Sequence, residues 1–197
     1  MTPVRSDLRS LPPQADAASG PAEPDPRRPP GAATVLRRAL DADSATVLSW
    51  RNHPGVRRVM FTDHPIASDE HAAWWQRVMA SARHRVLIVV HGGRDCGVVT
   101  FTEQADHLGT WDWGFYLDPD AFTQPMDQLR AWSGMEQQAI AWAQQQLQAR
   151  RIDCEVFAFN AAVLMLHKRH RFIERDRYQR QRGDESLEVV RLYREFG

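Results

Sequence analysis

The sequence predicts an α/β domain, a mixed sheet flanked by helices, and three observations carry that prediction. Three strand-like runs follow one another over 84–118, with Gly92 and Gly93 marking the first turn between them. Helical patterns stand on both sides of this meander. A strand–helix–strand passage, Cys154 to Asp176, follows the second helical side. The order reads β-α-α-α-β-β-β-α-β-α-β-β, without internal repeat.

Residues 1–33 hold eight of the twelve prolines, among Ala, Ser, Gly and charges of both signs. Such a Pro/Ala-rich segment buries too little apolar surface to offset its ordering entropy, so a disordered tail is expected there and a single domain over 34–197. "TVLRRAL" from Thr34 is the first strand. "DADSATVLSWRN" follows as a helix, with Asp41 or Asp43 as N-cap and Val47, Leu48 and Trp50 turned inward. "PGVRRVM" is a short helical turn. "SDEHAAWWQRVMAS" makes a third helix capped by Ser68, with Ala72, Trp75, Val78 and Met79 on one face. Strands are expected over 84–91, 96–103 and 110–118. A long helix then runs from Ser133 to Ala149, opened by a capping box of Ser133 and Glu136, with Met135, Ala139, Trp142, Ala143 and Leu147 buried. "RIDCEVFAF" is a fifth strand, 160–170 the last helix, and "RFIERDRYQR" with "LEVVRLYRE" a closing antiparallel pair.

Bulk composition narrows the function. Basic and acidic residues number 25 each, so no global field draws in nucleic acid or an anionic membrane. Nearly all the positive charge is arginine, which suits phosphate and carboxylate. Cys96 and Cys154 lack metal or disulfide spacing and read as buried thiols in a reducing cytoplasm. The longest apolar run, "VLIVV", is too short to span a bilayer, and no signal peptide is visible. A cytoplasmic protein without metal is expected.

Three stretches carry a family resemblance. "SWRNHPGVRRVM" resembles a W/F-R-N-x-P segment after a first strand, "DEHAAWW" an E/T-H-x-x-W/F helix, and "EVFAFNAAVLMLHKRHRF" a strand–helix signature ending in Gly-Phe. Together they make the chain similar to GNAT-superfamily acetyltransferases, and within them to the pseudaminic acid pathway N-acetyltransferases. That resemblance implies a GNAT fold, a sheet of about seven strands splayed in the middle. It also implies an enzyme moving acetyl from acetyl-CoA to the 4-amine of a UDP-linked 4-amino-4,6-dideoxy sugar, on the way to surface or flagellin glycosylation. A homodimer is the assembly expected if the chain self-associates. Two other activities fit the same resemblance: a protein N-terminal acetyltransferase of the ribosomal-protein type, and an inactive GNAT-fold binding module. Three positions depart from the family pattern. "LRAWSGMEQQ" stands where a glycine-rich pyrophosphate loop is usual, Arg171 replaces the glycine before the final Phe, and His167 replaces a frequent tyrosine.

Acetyl transfer needs a held thioester, an uncharged amine and a proton for the leaving thiolate. The resemblance places the pantetheine arm between the strands "TWDWGFYLD" and "CEVFAF", on the backbone of Phe115, Tyr116 and Leu117. It places the pyrophosphate on N–H groups at a helix start around Arg130, Ser133 and Gly134. Asn160 stands at the mouth of the splay as helix N-cap and ligand to pantetheine or phosphate. His167 lies two turns further along the same face, and an imidazole titrating near ~6.5 is a competent proton donor. It reads equally as a histidine at a helix C-terminus in the run "HKRHR". Arg51 offers a bidentate fork to a diphosphate and His71 a bond to phosphate, hydroxyl or base, unless both are helix caps. Thr102 and Tyr116 are further acceptor contacts, and Glu103, Asp112 and Glu155 are candidate amine bases.

Overall fold

The computed structural model describes residues 33–197, so the tail expected over 1–33 lies, but for Ala33, outside the described residues. Seven strands form one sheet: β1 (Thr34–Arg38), β2 (His84–His91), β3 (Arg94–Glu103), β4 (Thr110–Leu117), β5 (Arg151–Phe157), β6 (Ile173–Arg182) and β7 (Glu185–Glu195). Their spatial order is β1-β2-β3-β4-β5-β7-β6. All neighbours are antiparallel except β4 and β5, which run parallel. This is the α/β fold the sequence predicts.

Strand alternation separates two apolar clusters. On one face Leu87, Val99, Phe101, Trp111, Trp113, Ile152 and Val190 pack against helix α4 (Pro125–Gln146). On the other, Val86, Ile88 and Val98 meet α1 (Ser44–Asn52) and α3 (Ser68–Ala80) through Val47, Trp50, Trp75 and Val78. The buried face of α3 is turned one residue from expectation: His71, Trp75 and Val78 are inside, while Ala72 and Met79 are exposed. Ser68 is the first helical residue and not the cap, which falls on Ala67. Asp43 occupies the N-cap position of α1 without capping it. Its carboxylate is drawn instead to Arg37 at 2.8 Å, a pairing that also holds it below the usual carboxylate range. Between α1 and α3 stands the one-turn helix α2 (Pro54–Arg57).

The long helix departs most from expectation. It starts at Pro125, eight residues before Ser133, and ends at Gln146. Pro125 at the first helical position costs no intrahelical bond and is already bent for the helix. Ser133 is therefore an exposed residue in the helix interior and Glu136 is buried, so the capping box does not form. Gly134 has a packing role: a Cβ there would lie 2.5 Å from Thr34 Oγ1, so only glycine lets α4 approach β1 this closely. The same contact is tied by a buried chain of hydrogen bonds. His91 Nε2 donates to Asp127 at 3.2 Å, and its Nδ1 accepts from the Thr34 hydroxyl at 2.8 Å. No helix among the described residues is long and apolar enough to cross a membrane.

Gly134→Ala is expected to destabilise the fold by about 1–3 kcal/mol through overpacking against Thr34. Urea unfolding of the variant beside the parent measures this, and an unchanged midpoint would refute the close approach.

Candidate active site

The parallel strands β4 and β5 pair only at Thr110–Arg151, Trp111–Ile152 and Asp112–Asp153. Beyond Asp112 they part, while β4 stays paired to β3 up to Leu117 and β5 to β7 up to Phe157. The backbone of Phe115, Tyr116 and Leu117 thus has no β5 partner, as expected. Asn160 follows β5 directly and takes the N-cap position of helix α5 (Ala161–Arg169). Its side chain makes no capping bond, so only the position of that expected role is realised.

His167 lies in the last turn of α5, and it is not a surface residue: its exposure is 0 %, as is that of Glu136. Nδ1 meets Glu136 Oε1 at 2.8 Å. The ring is walled by Trp113, Phe115 and Phe172, with centroids 5.5, 5.7 and 4.8 Å away. Trp113 and Phe115 both belong to the part of β4 that has left β5. Nε2 of His167 and Oε2 of Glu136 are buried without a hydrogen-bond partner among the described residues. Such orphans are rare in folded proteins and call for a functional or solvent partner. Sequence reasoning missed Glu136 because it set the helix start at Ser133. With the start at Pro125, Glu136 falls on the stripe of Ala131, Met135, Ala139 and Ala143, and a carboxylate there is the signal.

Phe172 reaches the ring because α5 ends in a Schellman turn, in which Phe172 N–H bonds to the His167 carbonyl at 3.0 Å. The residue that must turn left-handed is Arg171, at φ 64°. Beside this cluster the Cys154 thiol is pushed well up by burial, with the Glu136 charge adding to the effect, so it is an inert structural thiol. Cys96 is buried too, its thiol pushed up to about 11 by burial.

The opposite face of the splay is bordered by α1, α2 and the loop to α3. The "WRN" stretch fastens that loop. Trp50 enters the core, Arg51 Nη2 donates to the Thr62 carbonyl and hydroxyl at 2.8 and 2.7 Å, and Asn52 bonds both backbone groups of Ile66. Arg51 Nη1 and Arg57 Nε are buried without partners. Neither residue has a carboxylate within ion-pair distance among the described residues. Burial pushes the Arg51 guanidinium below its ordinary value, against the opposing influence of Tyr116 and Glu70, and the Arg57 charge adds a smaller push in the same direction as burial. Arg182, at the end of β6, donates to the carbonyls of Arg58 and Met60, pairs with Glu185 at 3.2 Å and covers the Phe157 ring. Phe61 and Phe159 pack on Phe157, and Phe159 is half exposed.

Other expected acceptor contacts are structural here. His71 is buried against Trp74 and Trp75, and its Nε2–H donates to the Ser44 carbonyl at 2.9 Å, tying α3 to the start of α1. Tyr116 packs on the α1–α3 cluster with its hydroxyl 3.4 Å from the Val47 carbonyl, and burial pushes its phenol well up. Thr102 pairs with Asp112, level with the last β4–β5 pair, whereas Tyr116 pairs with Val98 at the other end of β4. The structure therefore does not bring Thr102 and Tyr116 to one level. Among the candidate bases, Glu155 is held by Arg191 and Tyr178, and Glu103 accepts from Gly109 N–H. The Asp112 carboxyl is raised by burial, against the opposing bond from Gln104.

A family model described as an acetyltransferase (GNAT) domain matches residues 34–173. The chain belongs to the GNAT acetyltransferase family. Among solved structures it is similar to spermidine N-acetyltransferase from Vibrio cholerae in complex with CoA and spermine, at 16 % identity and a TM-score of 0.72, covering 82 % of this chain and 95 % of that one. An N-acetyltransferase from Staphylococcus aureus matches at 18 % and 0.66, covering 82 % and 98 %. A candidate acetyltransferase from Salmonella typhimurium with acetyl-CoA matches at 18 % and 0.66, covering 83 % and 94 %. Identities this low speak to the fold. No curated protein matches the chain.

As a GNAT acetyltransferase the chain takes acetyl-CoA as co-substrate, and the splay leaves backbone of β4 without a β5 partner. The phosphate end is different from expectation. Arg130, Ser133 and Gly134 sit in the body of α4, where backbone N–H groups are spent within the helix, and Gly134 faces Thr34. The helix start is at Gln124–Asp127, and it offers few free donors. Pro125 has no N–H, and those of Asp127 and Gln128 go to the Gln124 carbonyl.

Arg171→Gly is expected to raise stability by up to about 1 kcal/mol, since a side chain in the left-handed region costs roughly that much; denaturant melts test it. The His71 imidazole is held below its ordinary value by burial, against the Ser44 bond. An unfolded chain binds this proton more readily, so stability is full above about pH 6.5 and is lost as the pH falls below it. The Tm gap between parent and His71→Gln should therefore narrow between pH 7 and pH 5, and a constant gap would refute the neutral buried ring.

Proposed function

We propose that the chain transfers the acetyl group of acetyl-CoA to the 4-amine of a UDP-linked 4-amino-4,6-dideoxy sugar, a step toward a nonulosonic acid. One observation carries the acceptor class: Arg51 and Arg57 lie close enough to repel, neither has an ion-pair partner among the described residues, and each has a buried N–H without a hydrogen bond there, Glu70 acting on Arg51 only beyond ion-pair distance. Two like charges left unpaired cost stability unless an anion joins them. A diphosphate supplies that anion, and bidentate guanidinium contacts are its natural ligands. The half-exposed Phe159 ring offers an apolar face to the base or sugar. A polyamine, which the Vibrio cholerae enzyme of similar fold acetylates, would be repelled by the same two charges. Uridine and the 4-amino position come from the sequence resemblance.

In this reading His167 supplies the proton to the departing thiolate, supported by its unpartnered Nε2 beside the open part of β4. The amine nitrogen attacks the thioester carbonyl from the arginine side, the C–N bond forms and the C–S bond breaks. The backbone of Phe115–Leu117 holds the pantetheine arm in line.

Thiol release from acetyl-CoA, measured against UDP-4-amino sugars, dTDP-amino sugars, spermidine and N-terminal peptides, decides the acceptor. Turnover is expected with a UDP-4-amino sugar and not with spermidine. Arg57→Gln should raise KM for that sugar about tenfold to a hundredfold, the worth of one charged hydrogen bond, and leave KM for acetyl-CoA unmoved. Preference for a peptide would replace the sugar reading, and no turnover with any acceptor would favour a binding module.

A further inference from the structure

The buried pair of Glu136 and His167 is a costly polar feature. Both side chains are removed from water, and each has one atom without a partner. A carboxylate at 0 % exposure is strongly disfavoured unless its charge is balanced nearby. Among the described residues the only group in ion-pair contact with Glu136 is His167. The other polar groups around the pair come from three strands, and on β4 the Trp113 indole N–H is buried without a hydrogen-bond partner among the described residues. Cys154 on β5 holds a neutral thiol. Arg194 on β7 donates to the His170 carbonyl, feels the Glu136 charge only as a lesser influence, and makes no ion pair with it. The remaining walls are the rings of Trp113, Phe115 and Phe172.

Electroneutrality and the Nδ1–Oε1 bond together narrow where the hydrogens are. Either Glu136 is ionised and the ring carries hydrogens on both nitrogens, or Glu136 is protonated on Oε1 and donates to Nδ1 of a neutral ring whose hydrogen is on Nε2; both place a hydrogen on Nε2. A third uncharged form, with the acid hydrogen on Oε2 and Nδ1–H donating to Oε1, leaves Nε2 bare, but it gives up the stronger bond and strands an acidic O–H that has no acceptor among the described residues. A histidine without this carboxylate is free to carry its single hydrogen on Nδ1 and present a bare Nε2.

We propose that Glu136 is a positioning residue that keeps Nε2 of His167 hydrogenated, and so makes it a standing proton donor at the open side of β4. The inference rests on the reading of His167 as the acid of the acetyl transfer. The electron pair of the breaking C–S bond stays on sulfur, and the Nε2 hydrogen moves to it as a proton. That leaves the pair with one negative charge in a dry site, which favours recovery of a proton. The proton released by the acylated amine balances it through solvent, so the reaction is proton-neutral. The role belongs to a carboxylate on α4, reaching across to α5, and it accounts for both orphaned atoms: Nε2 awaits the sulfur, and Oε2 is the oxygen left over when Oε1 takes Nδ1.

Ring-nitrogen spectra of the full chain labelled with 15N-histidine test the proposal without a ligand, with His167→Gln identifying the signal. In the parent, Nε2 is expected to carry its hydrogen from pH 6 to pH 9. In Glu136→Gln the amide oxygen can accept from Nδ1–H, so Nε2 should become bare at the alkaline end. The same variant should lower kcat about tenfold to a hundredfold, with KM for acetyl-CoA unmoved. A bare Nε2 in the parent at pH 8 would overturn the role of Glu136 and point to Arg194 as the balancing charge. Full activity of His167→Gln would overturn the acid reading beneath it, and that failure is distinct because the parent spectrum does not depend on it.

Discussion

Everything at the candidate site depends on two parallel strands that stop pairing after three residues. Each is held firmly on its far side, β4 by β3 and β5 by β7, so neither can close the gap by sliding. Backbone groups facing the gap need partners, and an extended ligand arm is the partner of the right shape. The slot therefore has fixed width and fixed donors. What varies is the chemistry on its two faces, which strand alternation keeps apart. Trp113 and Phe115 point to the side of α4 and α5, and Tyr116 points to the side of α1 and α3.

Those faces have opposite characters. The α4–α5 side is dry and aromatic around the buried Glu136–His167 pair. The α1–α2 side is cationic, with Arg51 and Arg57 unpaired and Arg182 half satisfied by backbone carbonyls. Burial lowers the dielectric around the pair on one side, while on the other the partly buried guanidiniums keep N–H groups without partners among the described residues. The sheet is the partition between them.

Period and turn chemistry made most of the fold readable. β2 matches the expected limits, and β3 to β5 differ from them only at their ends, because alternation and Gly92–Gly93 are local signals. The start of α4 was not read, since Ser133 and Glu136 imitate a capping box while Pro125 and Asp127 mark the real beginning. That one boundary misplaced three residues of the candidate site. Arg130, Ser133 and Gly134 became helix interior, and Glu136 moved from a cap to the buried stripe. The burial of His71 is out of reach of the sequence for a different reason: its partner, Ser44, is distant along the chain, and no spacing rule pairs α3 with the start of α1. The partnerless arginines were likewise beyond reach of sequence, because a missing partner is visible only in three dimensions.

The outer strand β6 reads Ile-Glu-Arg-Asp-Arg-Tyr-Gln-Arg-Gln-Arg, and Arg175, Arg177 and Arg182 lace to acids on the hairpin itself, as Arg177 does to Glu174 and Glu188. The chain has no net charge near neutrality, so long-range repulsion cannot keep its copies apart in a crowded solution. That task falls to short-range hydration. A neighbouring molecule seeking to extend the sheet would have to strip water from a row of charges already neutralised at home. Colloidal behaviour is thus set by one hairpin's lettering, independently of whatever occupies the slot.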